Sequence, residues 1–394
     1  MKLFENLLEK VRPHFEKGGK LEKYYYGYDA LETFLFVPGH AADPGGTHIK
    51  DGIDLKRTMF TVVIALVPCL LFGIWNVGHQ HFLALGQLTG AGEGFMDKLL
   101  FGALKVLPIV IVSYGVGLGI EFGIAIAKKH PVNEGFLVSG MLIPLVMPPT
   151  IPLWMVALAT AFAVVLGKEA FGGTGMNILN VALTARVFLF FAYPTYMSGD
   201  AVWVAGDASQ FVDGFSGATP LGAGYLDGMA GLAAVKHVTY DLTSFITGTI
   251  PGSIGETSAI AIGIGALILL VTGIGSWRIM ASVLAGAYVT AVVFSLTGIA
   301  PYHGVPPHYH IFMGSMLFAT VFMATDPVTA AQTTRGKYIY GLLIGVFGMI
   351  IRVLNPAYPE GWMLAILLMN VFAPTIDHIV VQGNIKRRLS RALK

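Results

Sequence analysis

The chain is poor in cysteine and in charge. Cys69 is the single cysteine among 394 residues, which excludes an intrachain disulfide and an iron–sulfur cluster held by this chain alone, since such clusters need about four thiolates. Charged residues make up 12% of the chain and apolar residues 55%, with a mean hydropathy of +0.69. An ordinary soluble surface needs roughly 25–35% charged residues. The composition therefore predicts an integral membrane protein in which Cys69 is a small apolar packing residue.

Ten apolar segments approach or exceed the roughly 17 residues that cross a bilayer as a helix. They are residues 58–78, 102–127, 135–149, 151–168, 178–195, 258–275, 279–297, 310–325, 338–354 and 361–380. We therefore predict an all-α membrane protein of about ten transmembrane helices. Its expected units are an amphipathic cytoplasmic extension (1–57), helices one to five (58–195), an extracytoplasmic loop (196–254), helices six to ten (255–382) and a basic cytoplasmic tail (383–394).

The charge distribution predicts the topology. Residues 1–57 are charged and lack a long apolar core, so we expect no cleavable signal peptide and a cytoplasmic amino terminus. Counting from that side, the turns after helices two, four, six and eight and the tail fall inside, and they carry basic residues: Lys128, Lys129, Lys168, Arg278, Arg335, Lys337, Lys386, Arg387 and Arg388. The 196–254 loop holds five aspartates and a single lysine, Lys236, as expected for the outer face.

Five helices on either side of this loop would give two halves of opposite orientation. Asn133-Glu134-Gly135 before helix three resembles Gly255-Glu256-Thr257 before helix six, and little else aligns. Transporters often build a midplane site between such inverted halves. Chance similarity between glycine- and alanine-rich helices explains this resemblance more simply.

A glycine-rich break, residues 171–180 (FGGTGMNILN), comes immediately before helix five on the cytoplasmic side. No Gly-Lys-Ser/Thr follows, so this is not a phosphate loop. Asn177 and Asn180 are three residues apart and are expected to share a helix face. Their amides both donate and accept, which suits the pyrimidine edge of a flavin ring. The alternative is that both amides only bridge neighbouring helices.

Charged residues inside the apolar segments are few, and each is expected to face a partner or water because a central charge costs roughly 2.5–3.5 kcal/mol. Glu121, within a glycine-rich stretch of helix two, is the best candidate for a cation ligand. Asp377 near the inner end of helix ten is a second candidate, although an anchoring role at the interface is as plausible. Lys105 and Arg352 near the outer boundary are expected to snorkel. Arg186 lies in helix five.

Histidines cluster in His79-Gln80-His81 and at His303, His308 and His310. The spacing alone would allow zinc. No carboxylate or thiolate accompanies them, and nearby tyrosines and Trp75 are typical of a membrane interface, so a metal site is not predicted.

The polar loop contains Ser216-Gly217-Ala218-Thr219 before Pro220, by itself an ordinary turn. Together with other segments it resembles the family of B-type membrane subunits of the Na+-translocating NADH:quinone oxidoreductases over nearly the whole chain. The matching segments are residues 15–20 (FEKGGK), 54–57 (DLKR), 133–136 (NEGF), 168–175 (KEAFGGTG), 216–219 (SGAT), 251–256 (PGSIGE), 323–328 (MATDPV), 355–361 (NPAYPEG) and 384–388 (NIKRR).

The resemblance implies a set of cofactors and partners. Thr219 would carry FMN through a phosphoester, with Ser216, Gly217 and Ala218 forming the rest of the attachment motif. Asn177 and Asn180 would contact a noncovalent riboflavin, and Gly117 would lie near the quinone. The family implies a bacterial inner-membrane complex with five further subunits, ubiquinone and Na+ as partners besides membrane lipid, no nucleic acid, and no metal cluster in this chain.

By this resemblance the chain would relay electrons between flavins toward ubiquinone and couple the transfer to outward Na+ movement. No Gly-x-Gly-x-x-Gly lies between a strand and a helix, so NADH oxidation is expected in a partner subunit. Two departures stand out: Gly117-Leu118 where paired glycines are expected, and Asn180-Val181-Ala182 where Asn-Pro-Ala is expected. The alternatives are the D-type subunit of the related Rnf ferredoxin:NAD+ oxidoreductase and a non-redox ten-helix transporter.

Overall fold

The computed structural model describes residues 2–16, 18–35, 55–129, 135–298, 302, 304–355 and 358–392. Within these ranges the chain forms helices and no strands. The helices are α1 Lys2–Phe15, α2 Tyr25–Leu35, α3 Leu55–Ala84, α4 Phe95–Lys128, α5 Phe136–Leu145, α6 Leu153–Gly167, α7 Val181–Ala192, α8 Pro194–Met197, α9 Pro220–Ala234, α10 Leu242–Thr247, α11 Ala259–Val271, α12 Trp277–Thr297, α13 Tyr309–Phe312, α14 Met316–Phe318, α15 Thr334–Leu354 and α16 Trp362–Ala392. Asn133, Glu134 and His303 lie outside the described residues.

Six helices in the described part of the chain are long and apolar enough to cross a bilayer: α3, α4, α6 with its short extension to Phe171, α12, α15 and α16. They confirm that this is a membrane protein. Three further predicted spans are shorter apolar helices, namely α5, α7 and α11, of 10, 12 and 13 residues. At about 1.5 Å per residue they cover about 15–20 Å, so none crosses the hydrocarbon alone.

The predicted span 310–325 is not one helix. It consists of α13, α14 and a π-helical turn, Ala319–Met323, and it is interrupted at Gly314, whose φ of +67° favours glycine. The count of ten full spans is therefore not confirmed. Hydropathy detects apolar length, but it does not detect a break that glycine introduces within an apolar run.

The α3 and α4 helices cross with their backbones nearly in contact. A Cβ atom on Gly102 would lie 1.7 Å from the carbonyl oxygen of Ile74, and one on Gly78 would lie 1.9 Å from that of Lys98. Only glycine fits at either position. This crossing fixes α3 against α4 in the first half of the chain.

Two helix–helix contacts of the first half have counterparts in the second, whereas the packing of α3 on α4 has none of similar extent between α11 and α12. The α4 helix packs on α6 and α6 on α7, while α12 packs on α15 and α15 on α16. Between the halves, α3 packs on α11 and α7 on α16. The carboxyl-terminal end of α5 and the residues after it also contact the segment before α11: the amides of Ile254 and Gly255 donate to the carbonyls of Met147 (3.2 Å) and Leu145 (2.7 Å).

The amino-terminal extension folds as a helical hairpin. The Tyr28 hydroxyl donates to the carbonyl of Leu8 at 3.0 Å, and its ring stacks on Phe15 with centroids 5.0 Å apart. Burial raises the pKa of Tyr28 to about 12. The α2 helix packs on α4, where the Cβ position of Gly27 lies 3.5 Å from Ile126.

Arg352 corrects one expectation. The side chain does not snorkel; it is fully buried and donates to the carbonyls of His310 (2.6 Å) and Met313 (3.0 Å), with its guanidinium over the Trp362 ring. The reason is the break at Gly314: no further turn of α13 follows, so no backbone amides of a continuing helix donate to the carbonyls at its end. The Arg352 guanidinium donates to these carbonyls instead. Lys105, by contrast, is exposed as predicted.

Candidate functional site

Thr219 lies at the start of a helix rather than in an isolated turn. Its Oγ1 accepts a hydrogen bond from the amide of Gly222 at 3.2 Å, so it is the N-cap residue of α9, and Pro220 follows at the first helical position. Gly217 has a φ of +68°, and the hydroxyl of Tyr240 donates to the carbonyl of Ala218. These contacts hold the segment in a fixed shape, while Ser216 is exposed and Thr219 is half-buried.

Asp200 flanks this threonine. A Cβ placed on Gly222 would lie 3.5 Å from Thr219 Oγ1 and 3.7 Å from Asp200 Oδ1, so the glycine leaves open space beside both groups. Partial burial raises the pKa of the Asp200 carboxyl. Burial and the nearby Asp200 carboxylate raise the pKa of Tyr240, which keeps its hydroxyl protonated as a donor.

Asn177 and Asn180 both line one cleft, but they do not share a helix face as predicted. Three glycines in the preceding break have positive φ, Gly172, Gly173 and Gly175, and the helix begins only at Val181. Asn180 is its N-cap: Oδ1 accepts from the amide of Leu183 at 3.1 Å, and Nδ2 lies 3.4 Å from Asp326 Oδ2. Asn177 is in the loop and donates to the carbonyl of Leu179.

The cleft draws on both halves of the chain and has a volume of about 80 Å³. Its lining includes Ser139, Lys168, Thr174, Asn177, Asn180, Phe322 and Asp326. The Thr174 hydroxyl is buried without a hydrogen-bond partner among the described residues. Amides, hydroxyls and one aromatic ring are the groups that hold a planar heterocycle with a polar edge. The residues present therefore fit a flavin ring system.

Glu121 is buried and pairs with the equally buried Lys168 at the end of α6. The expectation that an intramembrane carboxylate has a partner is confirmed. The second carboxylate oxygen, Oε2, has no hydrogen-bond partner among the described residues. Because Lys168 also lines the cleft, this ion pair connects α4 to it.

Asp377 lies where α16 passes the start of α15. Its carboxylate accepts from the amides of Gln332 (2.6 Å) and Thr333 (3.0 Å) and from the Thr333 hydroxyl. Thr333 is the N-cap of α15, so Asp377 supports that helix start. A negative charge at a helix amino terminus is stabilising.

Arg186, a buried charge within α7, is bound by two carboxylates, as expected for a charge inside the membrane. Its guanidinium donates to Glu256 Oε1 and to Glu360 Oε2, at 2.8 Å each. Glu256 and Glu360 precede α11 and α16, so one arginine of the first half binds two carboxylates of the second. These two carboxylates were not predicted as a site from the sequence. The available signal was that both occur in glycine- and proline-rich segments directly before apolar helices.

Comparison with known proteins identifies the family. Residues 44–386 match the model of the NQR2, RnfD, RnfE family. The chain belongs to this family. Its relatives include the B-type subunits of the Na(+)-translocating NADH-quinone reductases of Stutzerimonas stutzeri, 48% identical over 98% of both chains, and of Pseudomonas aeruginosa, also 48% identical over 98% of both chains. The Yersinia pestis protein of the same name is 45% identical over 98% of this chain and 99% of its own length.

Gly117, carried over from the family as a residue near quinone, is a packing position in this structure. It is buried, and a Cβ atom there would lie 1.8 Å from the ring of Phe136. The ring of Phe136 is itself fully buried. Any effect of changing Gly117 therefore includes a packing component.

We expect Gly117→Ala to destabilise the protein by about 1–3 kcal/mol, because the added methyl must displace a buried ring. Gly119→Ala is the matched control, since a Cβ atom there meets nothing within 4 Å on the same helix. Thermal unfolding of the two purified variants measures the difference. Equal melting temperatures would show that Phe136 moves aside freely.

Proposed function

We propose that this chain is the B-type subunit of a Na+-translocating NADH-quinone reductase, the membrane subunit that relays electrons through flavins toward ubiquinone and couples this transfer to outward Na+ movement. The observation that carries the proposal is similarity to such subunits at 45–48% identity over 98% of the chain. The family match covers residues 44–386 and so spans the Thr219 loop, the cleft residues and the cluster of Arg186, Glu256 and Glu360.

Thr219 is the proposed attachment site of FMN, through a phosphoester on Oγ1. The side chain is half-buried, with exposed Ser216 before it and small Gly217 and Ala218 beside it, so a modifying enzyme has access. The attached phosphate would lie at the amino terminus of α9, where free amides and the helix dipole favour an anion. The loop is proposed to face outside and both termini to face the cytoplasm of a bacterial inner membrane.

The cleft is the proposed site of a noncovalent riboflavin. Asn177 and Asn180 would hold the polar edge of the ring, and the unpartnered Thr174 hydroxyl would gain a partner there. Bound flavin would supply one- and two-electron transfer. This chain's residues would orient the ring and exclude water from it.

The remaining assignments follow the family. Quinone is proposed near Gly117, and Glu121 and Asp377 are proposed to lie along the Na+ path, although each carboxylate already has protein partners in this structure. Five further subunits and membrane lipid are the proposed partners. NADH oxidation is assigned to one of the other subunits.

The attachment site is tested with Thr219→Val, expressed with the native flavin-transfer machinery. We expect the wild-type band to fluoresce in a denaturing gel and its Thr219 peptide to carry one FMN by mass spectrometry, while the variant is dark. Thr243→Val, which changes an exposed threonine of the same loop outside the attachment motif, is the matched control and should keep the adduct. A dark wild-type band with an unmodified peptide would contradict the proposal and favour a non-redox transporter.

The cleft is tested with Asn177→Leu, which is expected to lower the noncovalent flavin content by more than half. Asn180→Leu would also remove a helix cap, costing about 1 kcal/mol. Asn180→Ser keeps a capping oxygen and separates the two effects. The readout is the flavin released when the protein is precipitated with acid. Undiminished release from the double variant Asn177→Leu, Asn180→Ser would exclude this site.

A further inference from the structure

The Arg186 cluster contains more negative than positive charge at contact distance. Among the described residues, Arg186 is the single cation in contact with both Glu256 and Glu360, and the three side chains are 4%, 5% and 16% exposed. One guanidinium thus faces two carboxylates. Burying an uncompensated charge is strongly destabilising, so a structure that keeps both carboxylates ionised needs a further cation.

Arg352 does not supply that cation at contact distance. Both of its terminal nitrogens donate to backbone carbonyls, and within the described part of the chain it forms an ion pair with neither carboxylate. Its charge reaches Glu360 only at longer range. The Arg352 guanidinium is therefore already directed at other acceptors.

A small cavity adjoins the two carboxylates. It is lined by Glu256, Glu360, Ser253, Thr257 and Thr219 together with apolar residues and glycines, and its volume is about 20 Å³. Such a volume holds one water-sized particle. Every polar side chain in this lining presents oxygen, which is the ligand that hard cations prefer.

Ser253 contributes an unpartnered oxygen to this cavity. The residue is 2% exposed, and its hydroxyl is buried without a hydrogen bond of good geometry among the described residues, although it lies near the Glu256 carboxylate. A buried hydroxyl without a hydrogen bond destabilises the folded state. A cation bound beside the carboxylates would give the hydroxyl oxygen a partner.

We propose that this cavity binds one Na+ ion through Glu256, Glu360 and Ser253. One monovalent cation neutralises the net negative charge of Arg186, Glu256 and Glu360 and fits the volume of the cavity. The Ser253 hydroxyl oxygen would then be a ligand of this cation. The inference rests on the proposed function, in which Na+ is transported, and adds a site beside the flavin-bearing residue. Because Thr219 lines the same cavity, occupancy by Na+ and the charge on the attached flavin influence each other through proximity.

The test uses the purified complex with Glu360→Gln, which leaves one carboxylate for one guanidinium. We expect the Na+ concentration for half-maximal quinone reduction to rise by about tenfold or more, because ligand charge sets cation affinity. We also expect loss of the rise in melting temperature that Na+ gives over K+ at constant ionic strength. Ser253→Ala keeps the charge and should give a smaller shift in the same direction.

Glu93→Gln, which removes an exposed carboxylate elsewhere, is the control and should leave both responses unchanged. Wild-type responses to Na+ in both Glu360→Gln and Ser253→Ala would overturn the site. A shifted pH profile with unaltered Na+ responses in Glu360→Gln would show that the cluster holds a proton, and this too overturns it. Covalent flavin is measured in the same samples. If wild type carries it, a negative result on Na+ rejects the Na+ site alone; if wild type lacks it, the proposed function itself is rejected.

Discussion

Replacing Arg186 with methionine is expected to remove most of the folded protein from the membrane fraction. The substitution leaves the carboxylates of Glu256 and Glu360 buried near each other without the guanidinium that binds both. Breaking a buried ion pair from one side costs about 3–5 kcal/mol. Domains have only about 5–15 kcal/mol of stability in total. Fluorescence-detected size-exclusion chromatography and thermal unfolding measure the loss.

The matched control removes the charges together. The triple variant Arg186→Met, Glu256→Gln, Glu360→Gln has no charge left among these three side chains, and we expect it to recover most of the lost yield. Arg186→Lys keeps the charge but not the fork that reaches two acceptors, and should fall between wild type and methionine. A triple variant no more stable than Arg186→Met would show that the arginine acts through packing rather than charge.

Gly102→Leu is expected to have an effect of similar size by a different route. The added Cβ would meet the backbone carbonyl of Ile74 at 1.7 Å. The backbone of α3 cannot move aside in the way that the tip of a flexible side chain can. The leucine would therefore force α3 and α4 apart where they cross. Overpacking typically costs about 1–3 kcal/mol and more where the backbone is displaced. We expect a strongly lowered melting temperature and a broadened elution profile.

Gly123→Leu on the same helix is the control, since a Cβ there meets nothing within 4 Å. It adds the same side chain with the same helix propensity. Equal behaviour of the two variants would show that the close crossing does not contribute to stability. A selective loss in Gly102→Leu would show that it does.

The sequence predicted the long membrane helices well because hydropathy depends on apolar length. The segments 58–78, 279–297, 338–354 and 361–380 correspond to long helices of the structure. The exact ends of these helices were not predicted. The α16 helix continues to Ala392, well past the apolar part, because its basic carboxyl-terminal residues have high helix propensity. Short and broken helices were overestimated, since Gly314 and Pro144 interrupt apolar stretches without making them polar.

The site was predicted in part. Asn177 and Asn180 were named from their amides, and the structure brings both to one cleft. Their shared helix face was wrong because positive-φ glycines keep the chain irregular up to Asn180. The partners of Arg186 and the buried state of Arg352 depend on residues more than 35 positions away along the chain. Local pattern carries no information about such pairings.

The bonds between the end of α5 and the segment before α11 constrain the relative motion of the two halves. The amides of Ile254 and Gly255 close on the carbonyls of Met147 and Leu145, and Arg186 ties the same halves together nearby. A rocking motion of one half against the other would have to break these bonds in every cycle, in surroundings that offer no water to replace them. We therefore expect the helix bundle to stay rigid during turnover. If Na+ passes through this chain, as proposed, it would cross a stationary scaffold and be admitted and released by side chains and by the short irregular segments between the helices.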